Sequence, residues 1–443
     1  MASTRSEIRP LVKLSVPLCI GFAAATMIGV VDTVMIAPLG TVPLAAAGIT
    51  TAMLIIIISG LWGIITAISV RISQADGAGD SLRVSSEVRT GLALSGGVGA
   101  GMVILMLAAF PLLGPIGQPD EVLAILWPYW VSMALWIVPF ILFFAIKSLF
   151  DAVGREWTGV GISYVGVVVN IPANYIFIHV LDLGLLGAGL ASILSQTVSL
   201  AVAYLYWTRS ATMAPYRQAA AVTRAGVSAQ FREGLPICIG YAGEGGAYAF
   251  VGIMMGWLGA TALAAHQVVN AAAGIAYVIP LGLAGAVSIR VGHAVGGASR
   301  ERLRAILKAG LGISIVWQTA TAAVFVLLGG AMAAQLSQDP AVITLATALF
   351  VALAVLQLVE GFQTTTLGAL RGMSDNTVPT AITLISYWPL ALPLAYVFGF
   401  VMGHGAVGLW AGYTVGLAVA GVLLPIRFWR STRSTPPNSA VPH

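Results

Sequence analysis

Residues 52–58 read Ala-Met-Leu-Ile-Ile-Ile-Ile, and residues 165–169 read Val-Gly-Val-Val-Val. Both stretches are apolar on every face, whereas a strand of a transmembrane barrel alternates apolar and polar side chains. Across the chain 58% of the residues are hydrophobic and only 8% are charged, which excludes a soluble globular protein. The sequence therefore predicts an all-α polytopic membrane protein.

Twelve apolar runs, each long enough for a membrane helix of ~20 residues, follow one another along the chain. The 21 lysine and arginine residues fall before the first run, after the last run, or at the even-numbered connections. The other connections hold residues such as Pro38, Asp120, Asp182, Asp339 and His404. Because lysine and arginine are enriched in cytoplasmic loops, we expect twelve spans in a bacterial inner (plasma) membrane, with both termini cytoplasmic.

An internal repeat divides the runs into two halves. Residues 16–23, Val-Pro-Leu-Cys-Ile-Gly-Phe-Ala, recur 219 positions later as residues 235–242, Leu-Pro-Ile-Cys-Ile-Gly-Tyr-Ala. The same offset carries residues 69–71, Ser-Val-Arg, onto residues 288–290, Ser-Ile-Arg. Each half has six spans and starts on the same side, so we expect two six-helix bundles related by a pseudo-two-fold along the membrane normal.

The longest polar connection sets the expected domain boundaries. They are an N-terminal lobe at 1–208, a cytoplasmic linker at 209–230, a C-terminal lobe at 231–428 and a cytoplasmic tail at 429–443. Within the lobes, Pro17 and Pro236 occupy the same early position of the first and seventh runs. A proline inside a helix removes a hydrogen bond, so each site is either a static kink or a moving hinge.

Three carboxylates, Asp32, Glu244 and Glu360, lie inside apolar runs. An ionised side chain in the bilayer costs roughly 3 kcal/mol or more, and a structural carboxylate normally pairs with a cation, which these runs lack. None of the three has an acidic counterpart at the repeat offset. We therefore expect a mobile cation at these acids: a proton, a sodium ion or a cationic solute. The alternative is a structural acid held by serine, threonine or backbone groups.

Spacing groups these residues into two candidate sites. At 1.5 Å per residue, Glu244 and Glu360 lie about 18 and 16 Å from the inner ends of their runs, and Asp32 lies about 28 Å in. Asn170 and Asn174 share one helix face because they are four residues apart. With Asp32 they form either an oxygen-rich site for Na⁺ or a polar network around a protonatable carboxyl; amide contacts between helices are the alternative.

Several chemistries have no motif in this sequence. None of the three lysines follows a phosphate-binding glycine loop, which argues against transport driven by ATP. The five histidines lack metal-ligand spacing and no nucleophilic triad can be nominated, so we expect neither an enzyme nor a cofactor. His266 is expected to be a polar residue at the outer end of the eighth run, with a proton relay as the alternative. The net charge of +5 reflects topology rather than binding of nucleic acid.

Four motifs resemble those of the MATE (multidrug and toxic compound extrusion) family, and the resemblance covers essentially the whole chain. They are Val-Asp-Thr-Val-Met at 31–35, Ala-Ala-His-Gln at 264–267, Pro-Leu-Gly-Leu-Ala at 280–284 and Gly-Ala-Leu-Arg-Gly at 368–372. The acids Glu244 and Glu360 are similar to those of the NorM branch. The resemblance implies a monomeric antiporter that exports cationic, often aromatic drugs or dyes in exchange for H⁺ or Na⁺ by alternating access.

The resemblance also implies roles for individual residues. Glu244 and Glu360 would form a cation site in the second half, and Asp32 with Asn170 and Asn174 would form one in the first half. Glu360 stands where many relatives have aspartate, and Leu356 stands where a cation-contacting tyrosine is often found. These two departures favour protons, or mixed use of both ions, over sodium alone.

Two other functions are compatible with a membrane-spanning chain. A flippase of lipid-linked precursors needs basic residues in its cavity to hold phosphates, and no lysine or arginine is expected at mid-membrane. An ion channel needs a ring of pore residues and usually oligomeric symmetry. The asymmetric acids and the two-half repeat favour a carrier over both.

Overall fold

The computed structural model describes residues 3–115 and 117–434. Within this part of the chain, twelve helices are long and apolar enough to cross a membrane, which confirms the predicted all-α architecture with twelve spans. They are α1 (Thr4–Leu39), α2 (Thr41–Gly77), α3 (Ser81–Leu112), α4 (Asp120–Ala152), α5 (Glu156–Val180), α6 (Gly184–Arg209), α7 (Arg224–Trp257), α8 (Ala260–Gly296), α9 (Arg300–Leu336), α10 (Pro340–Gly372), α11 (Thr377–Val401) and α12 (Gly405–Arg433).

These helices are longer than the apolar runs that predict them. They contain 25 to 37 residues, or about 38–55 Å at 1.5 Å per residue, against a hydrocarbon thickness of ~30 Å. Many basic residues assigned to connections therefore lie inside helices, among them Arg71 in α2, Lys147 in α4 and Arg290 in α8. Hydropathy marks the apolar centre of a helix but not the polar turns that extend past it. We call the helix ends with these residues the basic ends.

Two predicted segment boundaries also shift. The segment between α6 and α7 is shorter than the predicted linker 209–230, because α7 begins at Arg224. This segment contains one 3₁₀ helix, Ala211–Tyr216, and the Tyr216 hydroxyl donates a hydrogen bond of 3.2 Å to Oδ1 of Asp76. At the other end, α12 continues through the start of the predicted tail 429–443, and the part of that tail after residue 434 lies outside the described residues.

Contacts divide the chain into two compact units. We call Ile20–Cys238 the N unit, and Met1–Cys19 together with Ile239–His443 the C unit. The chain thus changes unit two residues after Pro17 and two residues after Pro236. The contacts group the first turns of α1 with the second repeat and the first turns of α7 with the first repeat. The lobe boundaries predicted from the repeat follow the order of the chain instead, and they stay a prediction.

In the C unit, the start of α1 packs on α8 and α9. Leu11 and Leu14 are buried in a cluster with apolar side chains of both helices. Glu7 accepts hydrogen bonds of 2.6 Å from Nη2 of Arg290 and 2.8 Å from Nε of Arg302. This carboxylate is almost fully buried, so two arginines balance a charge that would be costly alone.

The N unit shows the corresponding arrangement around the start of α7. Arg71 on α2 binds Glu233 at 2.7 Å and Glu87 at 2.8 Å. The side chain of Gln230 adds a 2.7 Å hydrogen bond to Oε2 of Glu87. A network of one guanidinium, two carboxylates and an amide therefore fixes the first turns of α7 within this unit.

Glycines set the closest helix contacts of the C unit. A Cβ at Gly408, Gly412 or Gly416 of α12 would lie 2.3–2.5 Å from the nearest atom of α11, closer than any side chain permits. Gly368 of α10 approaches the carbonyl oxygen of Ala284 in α8 in the same way. Small residues at four-residue spacing are typical of close helix packing in membranes. These contacts hold α12 close to α11 and α10 close to α8, and three of these four helices carry polar side chains of a candidate site.

Candidate functional site

Asp32 of α1 lies at the centre of a buried polar cluster in the N unit. Its Oδ1 accepts hydrogen bonds from Nδ2 of Asn170 at 3.2 Å and from Nδ2 of Asn174 at 2.8 Å. Its Oδ2 accepts a hydrogen bond of 2.6 Å from the hydroxyl of Ser192. The structure thus brings the three predicted residues together and adds Ser192 from α6.

The packing of α5 on α6 explains how these groups meet. A Cβ at Gly166 of α5 would lie 2.5 Å from Oγ of Ser199 in α6, so the two helices are in close contact at that level. Asn170 lies one turn after Gly166, and Ser192 lies about two turns before Ser199. Both side chains are buried and face the carboxylate of Asp32.

Two amide oxygens in this cluster remain without a partner. Oδ1 of Asn170 and Oδ1 of Asn174 are buried and accept no hydrogen bond from the described residues. A buried polar atom without a partner costs about 1–3 kcal/mol. Two free amide oxygens beside a carboxylate suit either a hard cation, which oxygen ligands bind, or a proton on Asp32 that one amide oxygen accepts.

Glu244 of α7 lies in a second cluster, in the C unit. The hydroxyls of Tyr277 on α8 and Tyr387 on α11 lie beside its carboxylate. The side-chain amide of Gln363 in turn donates to the hydroxyl oxygen of Tyr387. This order of donors directs the Tyr387 proton to Glu244.

Glu360 of α10 belongs to the same cluster. Its carboxylate lies within electrostatic range of the Glu244 carboxylate, so the two negative charges repel. Both side chains are partly exposed. Two carboxylates close together in a poorly hydrated region disfavour each other's ionisation, and a bound cation or a shared proton reduces the repulsion. The structure therefore brings the two predicted glutamates within electrostatic range of each other, and we call Glu244 and Glu360 the acid pair.

Arg371 changes one expectation about this cluster. The sequence predicts acids remote from every cation, but the Arg371 guanidinium at the basic end of α10 attracts Glu244 electrostatically. It lies 4.4 Å from the ring centre of Tyr241 and donates a hydrogen bond of 2.7 Å to the Tyr241 hydroxyl. No ion pair between Arg371 and Glu244 is found among the described residues. The expectation fails because the long Arg371 side chain reaches across to Tyr241 on α7, three residues before Glu244.

Sequence reasoning missed the hydroxyl groups of both clusters. Ser192 belongs to a series of serines at 192, 195 and 199, and three- and four-residue spacing places these on one face of α6. That polar stripe within an apolar run was the available signal. Tyr277 and Tyr387 gave no such signal, because tyrosines in membrane helices also anchor at interfaces or fill cores.

Comparison with known proteins identifies the family. The MatE family model matches residues 17–176 and again residues 236–397, so its second match begins 219 positions after the first and follows the repeat. The chain is 31% identical to a probable multidrug resistance protein NorM of Xanthomonas axonopodis pv. citri, over 97% of this chain and 95% of that protein.

Two solved structures share the fold. A crystal structure of MATE in the bent conformation superposes with a TM-score of 0.90, at 22% identity and over 97% of both chains. An outward-facing multidrug resistance MATE family transporter of the MOP superfamily gives a TM-score of 0.88, at 21% identity and over 97% of both chains. These two structures show the shared fold. The two matches of the family model and the 31% identity to the NorM protein show that the chain belongs to the MatE family of multidrug efflux transporters.

Proposed function

We propose that this multidrug efflux transporter exports cationic, often aromatic compounds in exchange for H⁺ or Na⁺. The acid pair of Glu244 and Glu360 and the Asp32 cluster are the proposed binding sites for the ion and the exported compound. Multidrug efflux, rather than enzymatic chemistry, is the activity of the family; the coupling ions, the charge of the compounds and the two sites are the proposal.

The observation that carries the proposal is the character of the partners of the acids. Asp32 is held by two amides and a hydroxyl, and all three are neutral. Neutral donors orient a carboxylate but leave its negative charge uncompensated, and an uncompensated charge inside a membrane is costly. A mobile cation that visits the site removes this cost.

Both coupling ions suit the Asp32 cluster. The free amide oxygens of Asn170 and Asn174 supply two oxygen ligands for Na⁺ in addition to the carboxylate. The same oxygens can accept a hydrogen bond from a protonated Asp32. In the C unit, the tyrosine hydroxyls beside Glu244 are neutral. One proton shared with Glu360 is therefore the simplest way to reduce the repulsion between the two acids.

Competition for one negative charge would couple the two fluxes. In the state open to the outside, an entering H⁺ or Na⁺ neutralises an acid that held the cationic compound, and the compound leaves. The neutralised site can then cross the desolvated state and open to the inside, where the ion leaves and a new compound binds. Each ligand shifts the conformational equilibrium because it binds the two states with different affinity.

The proposal includes a cellular setting. A bacterial inner membrane with both termini in the cytoplasm accords with the arginines at the basic ends of the helices. The protein would act as a monomer with no cofactor beyond the coupling ion. Pro17 and Pro236 would serve as hinges, because the chain passes from one compact unit to the other two residues after each proline.

Removing the acidic charges tests the proposal. Glu244→Gln and Glu360→Gln keep the side-chain shape, and each is expected to abolish protection of cells against a cationic dye at unchanged protein level. Glu301→Gln is the matched control, because Glu301 is exposed in the first turn of α9; it should protect like the unmodified chain. If both acid variants still confer protection, the role assigned to the pair is wrong.

A further inference from the structure

A buried aromatic and amide network lies beside the acid pair in the C unit. His266 and Asn270 are one turn apart on α8, Tyr248 is on α7 and Trp410 is on α12. Only 1% of the surface of His266 is exposed. Its Nδ1 lies 3.2 Å from Nε1 of Trp410, and its Nε2 lies 3.0 Å from the side-chain amide of Asn270.

Trp410 decides where His266 carries its proton. The indole nitrogen can only donate a hydrogen bond, so Nδ1 of His266 must accept and cannot hold a hydrogen. This excludes the imidazolium, which has a hydrogen on both nitrogens, and it excludes the tautomer with hydrogen on Nδ1. The neutral tautomer with hydrogen on Nε2 is left.

The tautomer in turn decides how Asn270 must be oriented. Nε2–H of His266 needs an acceptor, and the amide oxygen of Asn270 is the acceptor that this side chain can offer. The oxygen and nitrogen of an amide exchange places on a half-turn. The structure orients Asn270 with Nδ2 toward His266 and with Oδ1 accepting from the Tyr248 hydroxyl. Only the half-turned orientation, with Oδ1 toward His266, pairs each donor with an acceptor, and it places the NH₂ group against the hydroxyl oxygen of Tyr248.

The hydroxyl proton of Tyr248 is then free for another acceptor. Tyr248 lies one turn after Glu244 on α7 and within electrostatic range of Glu360. The groups that face the network are Tyr248 and Gly252 from α7, Glu360 from α10, and Trp410 and Tyr413 from α12. Because residues four apart share a helix face, the acid pair offers the strongest acceptor on the side of α7 that Tyr248 occupies.

We propose that His266 is a positioning residue of the acid pair: held by Trp410 as the neutral Nε2–H tautomer, it orients Asn270 so that the hydroxyl proton of Tyr248 is free to turn to the acid pair. This inference rests on the proposed function of the acid pair. It replaces the proton relay considered for His266, because a residue fixed in one neutral form transfers no proton during the cycle.

Solid-state nitrogen NMR of the full chain in lipid bilayers, with isotope-labelled histidine, tests the tautomer directly. The signal of His266 is identified among the five histidines by its loss in His266→Gln. From about pH 8 to about pH 5, the range in which histidine ordinarily titrates, its Nδ1 should stay unprotonated and its Nε2 protonated. An imidazolium signal or a protonated Nδ1 in this range overturns the inference.

Transport by conservative variants tests the positioning role. His266→Gln retains one acceptor for Trp410 and one donor for Asn270, so it should transport close to the normal rate. His266→Leu has neither and should transport about tenfold more slowly, as is typical when a residue that orients a binding group is lost. Equal rates for the two variants overturn the role.

Trp410→Phe keeps the aromatic packing and removes only the indole donor, so it tests the same idea without a change at His266. Its His266 is free to protonate, and transport should acquire a new dependence on pH between about pH 5 and pH 8. An unchanged pH profile of Trp410→Phe contradicts the inference. This test remains decisive if the His266→Leu variant does not accumulate in the membrane. If Glu244→Gln and Glu360→Gln still transport, the proposed function of the acid pair fails. The NMR experiment still decides the tautomer of His266, because it does not depend on transport.

Discussion

Arg71 and Arg290, which occupy the same position in the two repeats, each bind a carboxylate on the first helix of the other repeat. Arg71 binds Glu233 at 2.7 Å, and Arg290 binds Glu7 at 2.6 Å. The same symmetry extends to two glycines 219 positions apart: a Cβ at Gly63 would collide with Cys238, and a Cβ at Gly282 would collide with Cys19. The repeats therefore exchange the first turns of their first helices.

Loss of one exchanged ion pair should loosen the basic end of α7. Arg71 and Glu233 are about one-fifth and one-quarter exposed, so the pair contributes about 1 kcal/mol, or roughly a fivefold change in the population of opened molecules. In a Cys19→Ser background, Glu233→Gln should therefore let maleimide label Cys238 several-fold faster.

Asp375→Asn is the control for this labelling experiment. Asp375 binds Arg427 at 2.8 Å, and both residues belong to the second repeat, so its loss should leave the labelling of Cys238 unchanged. Equal labelling rates in Glu233→Gln and the Cys19→Ser parent would show that the exchanged contact does not limit opening.

Ser192→Ala should impair the Asp32 cluster. The variant removes the 2.6 Å hydrogen bond to Oδ2 of Asp32, and a hydrogen bond to a charged group contributes about 1.5–3 kcal/mol, or at least roughly tenfold in affinity. Dye efflux from everted vesicles should fall by about that factor. Ser195→Ala is the matched control, because the Ser195 hydroxyl donates to the backbone oxygen of Ser192. Similar efflux rates in the two variants would contradict a role for the Ser192 hydroxyl.

Tyr277→Phe and Tyr387→Phe should each slow transport without loss of fold. Each substitution removes one hydroxyl beside Glu244 while the ring keeps its packing. We expect a decrease of roughly tenfold for each, and less than the product for the double variant, since both act on one carboxylate. Tyr396→Phe, which alters an exposed tyrosine of the same helix as Tyr387, should transport normally. A strictly multiplicative double variant would indicate that the two tyrosines act at separate sites.

The sequence predicts the fold well because membrane constraints are strong and local. Apolar length, the alternation of basic residues and the repeat offset define twelve helices in two halves. The proximity of Asp32, Asn170 and Asn174 was also predictable, since four-residue spacing places both amides on one helix face and an isolated acid in a membrane needs polar partners.

The remaining features depend on tertiary contacts that no local pattern records. Tyr277 and Tyr387 resemble packing residues until α8 and α11 bring them to Glu244. Arg371 approaches Glu244 because its side chain contacts Tyr241, which precedes Glu244 by three residues on α7. The ion pairs of Arg71 and Arg290 with the first turns of α7 and α1 form only in the folded chain. The sequence repeat therefore shows that the two arginines correspond, but it does not show which carboxylates they bind.

Efflux from proteoliposomes with one imposed gradient at a time tests the central claim most directly. Vesicles that contain the purified chain and a fluorescent cationic dye receive a pH gradient with no sodium, or a sodium gradient at equal pH. At least one gradient should drive dye transport, and Glu244→Gln should abolish it. Dye transport by Glu244→Gln at the unmodified rate, or no response of the unmodified chain to either gradient, would contradict the account.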